Sequence, residues 1–62
     1  MICKTVAEFT YKKMQVEICK WASWYSFEVI VNGEVVDSAI GISSKTKAIA
    51  LGKKAVTDWQ EL

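Results

Sequence analysis

The 62-residue chain has no histidine, no arginine and no proline, and only two cysteines. Without imidazole it lacks the commonest general acid–base group and the commonest metal ligand. Without arginine it has no bidentate fork for phosphate, carboxylate or guanine, which weighs against base-specific recognition of nucleic acid. Cys3 and Cys19 are too few for a disulfide scaffold and show no CxxC spacing. No charged segment leads into the apolar run of a signal peptide, and no apolar run approaches membrane-spanning length. Serine, threonine and tyrosine hydroxyls are present, but no neighbouring base is available to activate them. The expectation is a cytoplasmic protein with reduced thiols that works without a membrane, a cofactor, a metal or enzymatic chemistry.

What is there is enough for one small domain spanning residues 1–62. Apolar residues make up 52% of the chain, too many for a disordered segment. The length is near the lower limit for folding on one hydrophobic core without a metal or disulfide staple. A net charge of +1 argues against a strongly basic nucleic-acid binder and equally against an acidic nucleic-acid mimic.

The most explicit local signal is Val29-Ile30-Val31-Asn32-Gly33-Glu34-Val35-Val36. Asn-Gly between apolar runs specifies a two-residue type I′ turn, because both central residues need positive φ. The turn pairs Val31 with Glu34, and counting outward sets Glu28 opposite Asp37. Residues 4–11, 14–21, 24–31 and 35–40 read as strands, with breaks at Lys12-Lys13, Ala22-Ser23 and Asn32-Gly33 and an end at Gly41. Lys12-Lys13 lacks the glycine or asparagine that a tight turn prefers. Ser43 or Ser44 can cap a following helix. There Ala48, Leu51, Gly52, Ala55, Val56, Trp59 and Leu62 recur at helical spacing, with Trp59 expected in the core. Gly52 in mid-stripe costs about 1 kcal/mol relative to alanine, and its expected use is close approach of helix to sheet. The fold class is α+β: an antiparallel meander of three to four strands, then one C-terminal helix packed on one sheet face (ββββα).

Register counting assigns the two faces. Phe9, Val16, Val29, Val36, Ala7, Ile18, Phe27 and Ser38 fall on the helix-covered face, with Ile40 at its margin. Glu8, Glu17, Glu28 and Asp37 form a row across the open face, between Thr10, Gln15, Ile30 and Val35 on one side and Val6, Cys19, Ser26 and Ala39 on the other. Lys4, Trp21 and Trp24 end this face. Cys3 falls on the opposite parity from Cys19, so the two are not expected to pair. Like charges directly opposite are destabilising on a sheet, so the row calls for water, a cation or a basic partner. Parallel strand carboxylates without converging carbonyls make a poor calcium cage. An ordinary solvated face, kept charged against aggregation, is the plainer reading.

The expected function is therefore that of a small non-enzymatic binding module, an adaptor or inhibitor. Its macromolecular partner would dock on the open face. Trp21 and Trp24 would anchor the contact, Ile30 and Val35 add apolar area, and Glu17, Glu28 and Asp37 supply charge. The same face could instead close a homodimer. The alternative is nucleic-acid binding through the helix, where Lys45, Lys47, Lys53 and Lys54 would contact phosphates. Lys45 and Lys47 stand in the first helical turn, where the macrodipole disfavours positive charge.

Two families resemble parts of the chain. Val31-Asn32-Gly33 through Ser44-Lys45 and Ala48 resembles the second half of a double-stranded RNA-binding domain, with Thr46 and Ile49 where that family has lysines. That resemblance implies a helix whose lysines grip duplex phosphates. Ala48, Gly52, Ala55, Val56 and Trp59 are similar in spacing to the helix of HicB-like antitoxins, without that family's Pro-Asp-Leu-Pro-Gly loop. This second resemblance implies a small sheet followed by a helix, and adds an antitoxin-like protein to the binding modules expected.

Overall fold

A computed structural model describes residues 3–61. Four strands, β1 (Lys4–Tyr11), β2 (Met14–Lys20), β3 (Tyr25–Val31) and β4 (Glu34–Ile42), precede one helix, α1 (Lys45–Gln60). The strands form one antiparallel sheet in the order β1-β2-β3-β4, and the helix covers one face, giving the expected ββββα sandwich. No described helix is long and apolar enough to cross a membrane.

The core lies where alternation puts it. Val16, Ile18, Val29 and Val56 are fully buried, joined by Phe27, Ile42, Ala48 and Ala55. The helix starts at Ser44, whose extended backbone and hydroxyl make it the N-cap, accepting a 3.1 Å bond from Lys47 N–H. Gly52 is buried, and a Cβ there would lie 2.8 Å from Val16 Cγ1. Only glycine lets the helix axis come this close to the central strands. Trp59, by contrast, is 39% exposed and not part of the core. Leu62, counted with the apolar stripe, lies outside the described residues.

Two tight turns set the register. Asn32 and Gly33 have φ of 52° and 78°, the type I′ geometry that the sequence specifies. Lys12 and Lys13 adopt the same left-handed region, with φ of 50° and 71°, although neither is suited to it. Left-handed backbone costs an L-residue roughly 1–2 kcal/mol. The helix end braces this turn: Gln60 Nε2 donates to the Lys12 carbonyl, and Lys12 Nζ lies 3.4 Å from Thr57 Oγ1. The double substitution Lys12→Asn/Lys13→Gly is expected to stabilise the domain by about 1–2 kcal/mol. A urea midpoint that stays put or falls would contradict this account of the turn.

Both edge strands are bulged and neither central strand is. The β1 register shifts between Thr5 and Ala7, leaving Val6 as the extra residue. Opposite β3, the β4 register shifts twice, at Val36 and near Gly41, which has φ of 73°. Bulges interrupt the unpaired hydrogen-bonding row of an edge and hinder edge-to-edge pairing with other chains.

Candidate functional site on the open sheet face

The bulges redistribute side chains between faces. Glu8 pairs with Glu17 and Glu17 with Glu28, as register counting expects. Asp37 does not complete the row. The extra residue Val36 puts Asp37 opposite Val29 and brings Ser38 opposite Glu28. Because Val29 points into the core, Asp37 leaves the open face, and its Oδ1 accepts from the Ser38 amide at 2.9 Å. Ala39 likewise moves opposite Phe27 and packs against the core. Ile40, expected on the helix side, comes to the open side and is 71% exposed, beside a concave pocket of about 310 Å³.

The β1 bulge has an equal effect. Thr5, not Val6, pairs with Cys19, and Val6 packs toward the core. Lys4 pairs with Lys20, whose Nζ lies 6.0 Å over the Tyr25 ring on the helix side. Cys3 thereby shares the face of Cys19, correcting the parity argument that kept them apart, and both thiols line the pocket. Both are free.

The acidic row is held in place locally. Gln15 Nε2 donates to Glu8 Oε1 at 3.0 Å, and the Thr5 hydroxyl donates to Glu17 Oε1 at 3.0 Å. Thr5 Oγ1 also lies 3.8 Å from Cys19 Sγ. Oxygen and sulfur donor atoms of Glu17, Cys19 and Glu28 all fall within 4.8 Å of one another. Burial, followed by the adjoining Cys3 side chain and the charge of Glu17, pushes the Cys19 thiol from 9.0 up to about 11. Cys19 is thus a protonated thiol near neutral pH, a poor nucleophile in its ground state.

Trp21 and Trp24 bracket the turn between β2 and β3. Their rings stack at 4.8 Å with 14° between planes, and both are half-buried. Trp21 Nε1 donates to Ser26 Oγ at 2.9 Å, which satisfies the buried Ser26 hydroxyl and fixes the indole against the pocket wall. Ile30 and Val35 pair at the other end of the face, with Val35 48% exposed. The structure therefore keeps Glu17, Glu28, Trp21, Trp24, Ile30 and Val35 on one side of the sheet, removes Asp37, and adds Ser38, Ile40 and Cys3. The positive φ demanded of Gly41 is the one trace of these shifts in the sequence; nothing marks Val6 or Val36.

The helix lysines are exposed but do not line up. At 100° per residue, Lys47 and Lys54 project from the outer side, about 10 Å apart along the axis. Lys53 leans back to the sheet, with Nζ 5.8 Å from the Phe9 ring centre and 5.5 Å from that of Tyr11. Lys45 belongs to neither group. No acidic residue balances the first turn.

No protein-family model matches the chain, and neither a curated protein nor a solved structure shows significant similarity to it.

Proposed function

We propose that the chain is a non-enzymatic binding module that docks a basic protein partner through its open sheet face. The observation that carries this reading is the unbroken row Glu8–Glu17–Glu28 in direct cross-strand register. Each adjacent pair costs a few tenths of a kcal/mol to the fold. A row that weakens the domain is accounted for by a partner whose positive charges relieve it. The strand lysines Lys4 and Lys20 pair on the other side, so relief does not come from within the sheet.

Shape supports the same reading. The row leads into a pocket walled by Trp21 and Ile40 with Glu28 at its rim. A lysine or arginine side chain could lay its apolar stem against these walls and bring its head to the carboxylates. Bulged edges disfavour strand addition, leaving the face itself as the docking surface. A second copy of this chain would present another acidic face, which makes a face-to-face homodimer the weaker option. The nucleic-acid alternative has Lys47 and Lys54 in its favour, without a continuous stripe for phosphates.

Trp24→Ala tests the anchor. It removes a stacked ring near the chain surface and is expected to leave a folded domain that captures its partner from native lysate at least tenfold less well. Nuclease treatment in parallel separates protein from nucleic-acid targets. Undiminished capture by folded Trp24→Ala would sink the tryptophan role, and capture lost on nuclease treatment would favour the helix lysines.

A further inference from the structure

The β1 bulge brings two thiols and two carboxylates to one end of the open face, a donor set different from the carboxylate row alone. Glu17 and Cys19 come from β2 and Glu28 from β3, with donor atoms within 4.8 Å of one another. Cys3, entering β1, adjoins the Cys19 side chain and lines the same pocket. We propose that Cys3, Glu17, Cys19 and Glu28 bind one divalent ion of the zinc class in tetrahedral coordination.

The donor chemistry selects the ion. Thiolates are soft ligands suited to zinc and poor for calcium or magnesium, which require oxygen. Zinc–sulfur bonds near 2.3 Å and zinc–oxygen bonds near 2.0 Å place tetrahedral ligands roughly 3–4 Å apart. Glu17, Cys19 and Glu28 need about an ångström of closure to reach this spacing, and Cys3, which lies outside that 4.8 Å set, swings in from the pocket lining by side-chain rotation. Thr5 fits the role of an orienting neighbour: its hydroxyl holds Glu17 Oε1 at 3.0 Å and lies 3.8 Å from Cys19 Sγ. On binding, both thiols lose their protons to water and become thiolates, and no electron is transferred.

A disulfide is the competing use of the two sulfurs. Thr5 is the direct partner of Cys19, so Cys3 stands diagonally two residues away. Diagonal neighbours have α-carbons about 7–8 Å apart, beyond the usual span of a disulfide. An ion between the sulfurs bridges that gap without backbone movement. Like-charge repulsion between Glu17 and Glu28 is relieved in the same step. This inference shares Glu17 and Glu28 with the docking reading but is tested apart from it, on the isolated protein.

The test is titration of the pure, reduced protein with cobalt(II), then displacement by zinc. The expected result is one equivalent bound, with the near-ultraviolet thiolate-to-cobalt band and strong visible bands of tetrahedral cobalt, both bleached by zinc. Cys19→Ser should abolish the thiolate band, Cys3→Ser should weaken it, and Glu28→Gln should weaken binding roughly tenfold or more. Glu28 is only half-buried, so its variant keeps the test valid if Cys19→Ser fails to fold. A folded, reduced wild-type protein without the thiolate band overturns the proposal, as does binding unchanged in Glu28→Gln. Formation of a Cys3–Cys19 disulfide with glutathione disulfide, in a protein that gives no cobalt spectrum when reduced, overturns it in favour of a redox pair.

Discussion

Gly52→Val is expected to cost the domain about 3 kcal/mol or more, a third or more of its stability. A Cβ at this position meets Val16 Cγ1 at 2.8 Å and the Phe27 Cβ and Cγ at 3.7 Å, before valine's own methyl groups are placed. Val16 cannot yield, because it is fully buried on a central strand. Overpacking of this kind costs about 1–3 kcal/mol, and a β-branched side chain that also pushes on Phe27 falls at or above the upper end. At roughly 0.05–0.15 kcal/mol per residue, a domain this size has only about 3–9 kcal/mol to lose. Gly52→Ala is milder, since alanine recovers about 1 kcal/mol of helix propensity.

Compensation is the sharper form of this expectation. Val16→Ala empties the space that a residue-52 side chain would enter, so the Val16→Ala/Gly52→Ala double variant should be more stable than the summed single effects. A coupling of about 1 kcal/mol or more is the expected size for residues in direct contact. Circular dichroism with urea titration measures it. Additive effects, or a Gly52→Val protein whose urea midpoint is unchanged, would mean that the helix sits farther from β2 than the structure has it.

Such close approach was legible from Gly52 alone, because a glycine inside an apolar helical stripe has few other uses. The same holds for β2, β3 and their partners over Ala7–Tyr11, where alternation and two-residue turns determine which residues meet. Asn32-Gly33 specified its hairpin outright. Lys12-Lys13 made an equivalent turn against its own preferences, and the helix end that braces it, through Gln60 and Thr57, is a contact across most of the chain that no local pattern announces.

The site was legible only in part, and the edges were the reason. A bulge inserts one residue, and every side chain beyond it changes face. Glu28 opposite Asp37 followed correctly from an unbulged hairpin, but Val36 intervenes and Ser38 takes the place. Val36 and Val6 look like ordinary strand residues, yet the β1 bulge lets both Val6 and Ala7 pack against the core, and the shift at Val36 brings Ala39 there beside it. The gain in apolar packing is a property of the folded sheet and helix, not of the local sequence. Trp59 departs in the opposite sense: it keeps the helical period of the stripe but is 39% exposed and stays out of the core.

The second large effect concerns the middle of the acidic row. Glu17 lies between Glu8 and Glu28, so Glu17→Lys turns two repulsive cross-strand neighbours into two attractive ones. Opposite-charge pairs contribute roughly 0.2–1 kcal/mol each, and the hydrogen bond lost from Thr5 is exposed. The variant is therefore expected to be more stable than the natural chain by about 0.5–1.5 kcal/mol. Binding should move the other way. A charge paired across an interface costs about 2–5 kcal/mol when removed, and reversal adds repulsion, so affinity for a basic partner should fall by about a hundredfold or more. A solvated face with no partner would gain the stability and lose nothing.

The central claim is that the acidic open face, and not the lysine-bearing helix, is the working surface. It is tested most directly by measuring both properties of Glu17→Lys side by side: the urea midpoint, and capture of the partner from native lysate at physiological salt. The account predicts a raised midpoint together with lost capture. A raised midpoint with capture undiminished would contradict it.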